Sequence, residues 1–449
     1  MGIINVKGTH DIIGGEAENY SYVENVMSQI ASFFAFKQVR PPVLEHSELF
    51  VRGVGESSDV VRKEMYTFDD KGGRSLTLRP EFTAGIMRLI VQNKLLPISE
   101  LPLKFYYCGP VFRYERPQLG RYRQFNQFGV ESVGHASPYA DVEVISLAYT
   151  ILQSLGLQNV TIKINTLGDE ASRDAYRVAL KDFFKDKVEN MCEDCRMRYQ
   201  INPLRILDCK VPSDQEIVKD APKMSAYISE ASKKRFAQVL DSLEEMGIPY
   251  EVDDTLVRGL DYYSETVFEF HYISNKGNNY GAIGAGGHYD KLVHEIGGPD
   301  APGVGFSFGV ERIVSVLTDD DLLQEAEVKL DAYVMPIGIE SQKTALMVAN
   351  ELRVLGYHVD MCYDDVKLGN MFKRAEKKHA KLAVIIGEEE IKNKSVIIKN
   401  MESKEQITVS LEEMCDKVDE LLIEQHCCGK HEHHEGECCE GECCCKKGE

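Results

Sequence analysis

Apolar residues fall at helical spacing over residues 17–36, where Tyr22, Val23, Val26, Met27, Ile30, Phe33 and Phe34 share one face. The stretch 39–44 contains Pro41 and Pro42, which have no amide to donate, so it reads as an edge or interface strand. Residues 74–80 alternate as a strand does, and 81–92 return to a helical rhythm. Two strands follow at 103–114 and 125–134, joined by a long polar loop that carries Arg116, Gln118, Arg121 and Arg123. Residues 138–155 predict a helix and 159–166 a strand. From 170 to 250, lysine, glutamate and aspartate crowd in at a helical period, which predicts a helical insertion. Strands resume at 250–257, 266–273 and 280–284, and Gly284 to Asp290 reads as a glycine turn. Gly303 to Gly309 leads into a helix at 310–317.

An acidic linker at 319–329 separates a second rhythm, with strands at 332–336, 358–363, 382–386 and 395–399 and helices at 341–355, 367–379 and 411–423. Strand–helix alternation of this kind predicts a separate α/β domain of about 100 residues. Residues 426–449 are low in complexity and predict no packed structure.

Length and charge narrow the class. A chain of 449 residues exceeds one ordinary core, so two or three domains are expected. Its 43% hydrophobic and 28% charged content fits a globular protein. No apolar run reaches membrane-spanning length and no signal peptide opens the chain, which places it in the cytoplasm by default. A net charge of −20 argues against a protein that coats nucleic acid non-specifically, though a local basic patch remains compatible with it. Six of the 13 cysteines are spread through the body of the chain, too sparse for a disulfide framework.

The stretch Leu256-Val257-Arg258-Gly259-Leu260-Asp261-Tyr262-Tyr263 concentrates candidate chemistry. A guanidinium that never loses its charge suits a phosphate or a developing negative charge. Adjacent tyrosines on an extended segment point to opposite faces, so one would line a pocket while the other packs. Taken alone, the octapeptide reads better as a strand with a surface arginine and a tight turn.

Three further stretches change that reading. They are Val39-Arg40-Pro41-Pro42-Val43-Leu44-Glu45; Phe112 to Glu115 with its loop and Phe125 to Glu131; and Gly303 to Arg312. In order and spacing they resemble motifs 1, 2 and 3 of the class II aminoacyl-tRNA synthetases. Leu256 to Tyr263 resembles the first histidine-specific motif of the histidyl-tRNA synthetase family. Ala285-Gly286-Gly287-His288-Tyr289-Asp290 resembles the second, with His288 where the family usually has arginine.

The resemblance covers about residues 1–425 and implies an α+β fold: a class II antiparallel-sheet catalytic domain with a helical insertion, plus a C-terminal α/β anticodon-binding domain. The implied segments are 1–169 and 251–325 for the catalytic domain, 170–250 for the insertion, 330–425 for the anticodon-binding domain and 426–449 for the tail. The implied activity joins histidine to ATP, with Mg2+, to give histidyl-adenylate and pyrophosphate, then passes histidine to the 3′ end of tRNA-His; no organic cofactor enters. Arg113 would meet the α-phosphate, Arg258 would reach it from the histidine side in place of a metal ion, and Arg312 would hold the γ-phosphate side. Glu115 and Gly309 would complete the ATP site.

For histidine the resemblance implies Glu81, Thr83 and Gln127 around the amino group, with Phe82 among the histidine-binding residues. Glu131, Tyr262 and Tyr263 would surround the imidazole, with Tyr289, Gly286 and Gly287 lining the cavity. A site that hydrogen-bonds the ring rejects analogues lacking it by a large factor, so no editing domain is needed. Arg116, Gln118, Arg121 and Arg123 would meet the tRNA acceptor stem. Lys367, Lys373, Arg374, Lys377 and Lys378 give the anticodon-binding domain one basic helix. Motif 1 implies a homodimer. A regulatory paralogue of the histidine-biosynthesis phosphoribosyltransferase would share the fold without the activity, but such proteins usually lack the anticodon-binding domain and degrade the first histidine-specific motif.

Two cysteine groups stand apart. Cys192, Cys195 and Cys209 fall one short of the four ligands of a structural zinc, so they read as buried structural residues. The tail departs from the family. His431, His433, His434, Cys438, Cys439, Cys443, Cys444 and Cys445 offer thiolate and imidazole to a soft metal, without the spacing of a defined finger.

Overall fold

The computed structural model describes residues 2–56, 58–96, 100–116, 120–323 and 330–428. The chain divides into two compact units, 1–326 and 327–449.

The first unit is built on an eight-stranded sheet. Strands are numbered in chain order: β1 Lys37–Gln38, β2 Leu44–His46, β3 Tyr66–Asp69, β4 Ser75–Leu78, β5 Leu103–Phe112, β6 Gln124–Val133, β7 Val160–Thr166, β8 Tyr250–Val252, β9 Ser264–Ile273, β10 Asn279–Tyr289 and β11 Gly303–Gly309. The sheet runs β1-β5-β6-β11-β10-β9-β7-β8 and is antiparallel from β5 through β7, with a short parallel strand at each edge. A side sheet of order β2-β4-β3 stands apart. Pro41 and Pro42 leave only Lys37–Gln38 paired at the sheet edge before the chain rejoins β2.

Helices Gly15–Phe33, Pro138–Ser154 and Val310–Asp319 cover one face of the large sheet, and their Val23, Met27, Ile145, Ile151 and Ile313 share a core with Phe270, Phe306 and Phe308 of the strands. The opposite face holds a second core that includes Tyr107, Tyr262, Tyr263 and Tyr289. Aromatic hydroxyls there surround polar groups, and this is the face that carries the cavity described below.

Three expectations change. Gly284 to Tyr289 lies within β10 rather than in a turn. A Cβ on Gly284 would overlap the Phe308 ring and one on Gly286 the Gly305 carbonyl, so the glycines are there to let neighbouring strands carry large rings. The stretch 256–263 forms no strand and bends before β9, which brings both Tyr262 and Tyr263 to one side. The stretch 170–250 is mostly helical but packs in two parts. Tyr176, Leu180, Phe184, Cys195, Ile206 and Cys209 form their own cluster, whereas Val239 and Leu243 of helix Glu230–Glu245 belong to the core of the large sheet.

The second unit has strands β12 Ala332–Pro336, β13 Val359–Met361, β14 Leu382–Ile386, β15 Ser395–Asn400 and β16 Gln406–Ser410 in the order β13-β12-β14-β15-β16. Its first three strands are parallel and the last two antiparallel. β16 and the helix Glu388–Asn393 were not foreseen from the pattern, which is short and polar there. On the basic helix, Arg374 pairs with Asp364 at 2.7 Å and Lys378 with Asp360 at 2.5 Å, while Lys373 and Lys377 stay exposed. The tail candidates from His431 to Cys445 lie outside the described residues.

Candidate active site

A cavity of about 390 Å3 opens on the aromatic face of the large sheet. Its wall brings together Glu81, Thr83, Arg113, Glu115, Arg121, Gln127, Glu131, Arg258, Tyr262, Tyr263 and Tyr289. Those residues come from five separate stretches of chain, so the grouping is a product of the fold.

Glu131 stands at the centre, on β6 opposite Gly305 of β11. The carboxylate takes the Thr83 hydroxyl at 2.7 Å and the Tyr289 hydroxyl at 2.7 Å, with Tyr107 at 3.4 Å. Burial pushes its pKa up to about 8, against the lowering effect of the Thr83 and Tyr289 hydrogen bonds. A Cβ on residue 305 would overlap this carboxylate, so only glycine at 305 admits Glu131 to the cavity. Gly305, Tyr107, Glu64 and Glu269 also line the cavity or contact its centre, and sequence reasoning gave them no role. For Gly305 a signal existed, since it sits within the third motif; nothing in the local pattern marks the other three.

Glu81 caps the helix Thr83–Gln92. Its two oxygens take the backbone N–H groups of Thr83 at 2.6 Å and Ala84 at 3.0 Å, which turns the remaining lone pairs into the cavity. Burial raises its pKa, opposed by those two N–H groups. Tyr262 and Tyr263 bring their hydroxyls to 3.4 Å of one another.

Arg258 pairs with Glu269 of β9 at 2.5 Å, and its guanidinium lies 5.5 Å from the Tyr263 ring centre. Its Nε is buried and has no partner among the described residues. Burial alone would raise the Glu269 pKa, but His271 at 3.0 Å and Arg258 hold it below its ordinary value. A fixed cation with one spare donor at a cavity wall is suited to an anionic ligand group.

A second cavity of about 220 Å3 shares Arg113, Glu115, Arg121, Gln127 and Ser307 with the first and adds Gly309, Glu311 and Arg312. Arg113 donates Nε to the Pro80 carbonyl at 2.8 Å and lies 5.5 Å from the Phe125 ring centre. Arg312 donates to the Ala282 carbonyl at 2.6 Å. Arg113, Arg258 and Arg312, with Arg121 in both walls, thus line two chambers that share residues, one rich in tyrosines and carboxylates, the other beside a phenylalanine ring.

Some expected positions do not reach the cavities. Phe82 stacks under Tyr107 with centroids 4.3 Å apart and supports the wall from behind. Gly286 and Gly287 make room for rings rather than for a ligand: a Cβ on Gly287 would come within 2.8 Å of Tyr263. Arg123 stacks on Tyr114 at 4.0 Å and bonds the Glu115 carbonyl at 3.3 Å, bracing the loop. Arg116 is exposed, and Gln118 lies outside the described residues.

His288 is buried behind the site. Its Nδ1 lies 2.9 Å from Asp141 and its Nε2 3.2 Å from Asp290. Burial would lower its pKa, but the charge and hydrogen bond of Asp141, then Asp290, raise it to about 9. The Arg235 guanidinium, 3.2 Å from the same Nδ1, opposes that rise.

The profile of the family described as histidyl-tRNA synthetase matches residues 8–313. This chain belongs to that family. A second profile, for an anticodon-binding domain, matches residues 331–421. Histidine–tRNA ligases of Bacillus subtilis and of a Geobacillus strain are 44% and 43% identical, over 92% and 93% of this chain and 97% and 98% of theirs. The crystal structure of the apo histidyl-tRNA synthetase of S. aureus is 34% identical and superposes with a TM-score of 0.79, covering 93% of this chain and all of that one. A structure from Bacillus halodurans described as an ATP phosphoribosyltransferase regulatory subunit/histidyl-tRNA synthetase shares the fold at 21% identity and a TM-score of 0.60. The fold is accordingly the α+β class II histidyl-tRNA synthetase fold with a C-terminal anticodon-binding domain.

Proposed function

We infer that the chain is a histidine–tRNA ligase that activates L-histidine with ATP at the joined cavities and transfers it to tRNA-His. The observation that carries this reading is the buried Glu131, ringed by Thr83, Tyr107 and Tyr289, in a cavity that also holds Arg113 and Arg258 and shares Arg113 with the chamber of Arg312. A carboxylate that shares protons readily near neutral pH suits an imidazole N–H as partner.

In this reading Glu81 receives the α-ammonium group, with Thr83 and Gln127 beside it. The imidazole lies between Glu131 and Tyr263, with Tyr262 adjacent. ATP enters as its Mg2+ complex in the second chamber. The histidine carboxylate attacks the α-phosphorus, a new C–O–P link forms, and pyrophosphate leaves. Negative charge builds on the α-phosphate oxygens as the bond forms. Arg113 from one side and Arg258 from the other are fixed in advance by Pro80 and Glu269, so they stabilise that charge with little reorganisation. Arg312 holds the far phosphates. The terminal ribose hydroxyl of tRNA then displaces AMP.

Arg116 and Arg121 of the loop before β6 are proposed to meet the acceptor stem, and the second unit the anticodon. A homodimer through the proline-containing edge strand and a cytoplasmic location belong to the same proposal. Among the described residues no helix is long and apolar enough to cross a membrane. The regulatory alternative is disfavoured by the arginine-bearing stretch 256–263 and by the match at 331–421. Histidine-dependent ATP–pyrophosphate exchange by the purified protein tests the reading; no exchange overturns it.

A further inference from the structure

Outside the active site, one cluster of side chains has the chemistry of a ligand set. Spacing alone shows three cysteines, and the fold adds Asp214 as a fourth group. Cys192 caps the helix Glu193–Ile201, Cys195 sits in its first turn, Cys209 follows the turn Pro203–Asp208, and Asp214 lies in the helix Pro212–Val218. All four donor atoms lie within 4.8 Å of one another.

The separations fit one tetrahedral ion. Metal–sulfur bonds of about 2.3 Å and metal–oxygen bonds of about 2.0 Å at tetrahedral angles require S···S near 3.8 Å and S···O near 3.5 Å. Cys192 Sγ and Cys209 Sγ are 3.9 Å apart, and Cys209 Sγ and Asp214 Oδ2 3.4 Å. Backbone donors already face the sulfurs: Cys195 N–H to Cys192 Sγ and Val211 N–H to Cys209 Sγ, both at 3.4 Å. Such outer donors favour thiolate and orient the ligands. Cys195, Cys209 and Asp214 are all buried. The Asp214 carboxylate is drawn up to thiols, the Cys192 N–H at 3.0 Å and the Ser213 hydroxyl at 3.4 Å, rather than to a lysine or arginine. A buried carboxylate among thiols is costly unless a cation neutralises it.

We propose that Cys192, Cys195, Cys209 and Asp214 bind one soft divalent ion, with zinc the fitting metal. Four protein donors and burial make it a closed, structural site. Its effect reaches the active site through the segment it pins. Between the ligands, Asn202 donates to Asp261 at 2.9 Å, and Arg205 donates to the Gly259 carbonyl and to Asp59 at 3.2 Å. These bonds hold the bend that presents Arg258, so the ion positions that bend without touching substrate.

The test uses the full chain with serine at the seven tail cysteines, which removes the competing thiols. Prepared under reducing conditions with zinc supplied, it should carry one zinc per chain by mass spectrometry of the metal. Cobalt(II) in its place should give the strong visible absorption of a tetrahedral thiolate site. Cys209→Ser should lose the metal. Asp214→Cys should keep one ion and move the cobalt absorption to longer wavelength, which separates ligation from misfolding. A metal-free parent protein, a Cys192–Cys209 disulfide in its place, or zinc retained in Cys209→Ser overturns the proposal.

Discussion

The guanidinium of Arg258 sits 2.5 Å from the carboxylate of Glu269, two residues from His271 on β9. The pair explains how a bend without regular structure presents an arginine at a fixed place in the cavity wall. Arg258→Ala should slow adenylate formation by ~10²–10³-fold, the typical cost of removing one preorganised charge-stabilising donor. Transfer of histidine from preformed adenylate to tRNA should change little. Single-turnover assays of the two half-reactions check this, and equal losses in both would refute the role. Arg258→Lys keeps the charge but not the planar fork, and should fall between the two.

Gly305→Ala places a methyl group against the Glu131 carboxylate and the Val130 carbonyl at 2.5 Å. Neither neighbour yields cheaply, since one is backbone and the other is held by Thr83 and Tyr289. We expect a stability loss of ~1–3 kcal/mol, in the range for overpacking a filled interior. The histidine KM should rise more than the ATP KM. Thermal melting with substrate titrations measures both.

Glu131→Gln keeps the shape but cannot ionise when the ring binds. If the imidazole is read by this carboxylate, histidine KM should rise ~10–100-fold, about 1.4–2.8 kcal/mol, the scale of one charged hydrogen bond. ATP binding should be unaffected. The wild-type group has its pKa raised to about 8 from an ordinary 4.5, so its contribution to stability is full below pH 4.5 and is lost as pH rises through 8. The glutamine variant should lack that part of the decline.

His288 gives a second, separable pH dependence. Its pKa is raised from 6.5 to about 9, so the stabilisation is fully present below pH 6.5 and disappears as pH rises through 9. The shift corresponds to ~3 kcal/mol at most. His288→Gln should be less stable than wild type at pH 6 and closer to it at pH 9.5. Urea melts across that range, with Glu131→Gln as the control for the overlapping window, check the difference.

Many of the residues that line the cavity were legible because they lie in short motifs whose chemistry is local: an arginine before a glycine and two tyrosines, or a strand bearing Gln127 and Glu131 four apart. Phe82, Gly286 and Gly287 were read as ligand contacts because they sit beside such residues, yet the structure gives them wall and packing duties. Adjacency in sequence does not say which side of a wall a residue faces.

The amino-acid sequence by itself showed the main run of helices and strands but not Ser47–Val54, β3, Glu388–Asn393 or β16, together with the acidic stretch before the second unit and the family, because periodicity and motifs are properties of neighbouring residues. Tertiary structure alone decided that β10 continues through its glycines, with register shifts against β9, and that both tyrosines of 256–263 share one cavity. It also paired Glu269 with Arg258 and brought Asp214 to three cysteines. The reason is common to all four: each depends on how the chain turns between the residues and on what packs against them, which the periodicity of a single stretch does not show.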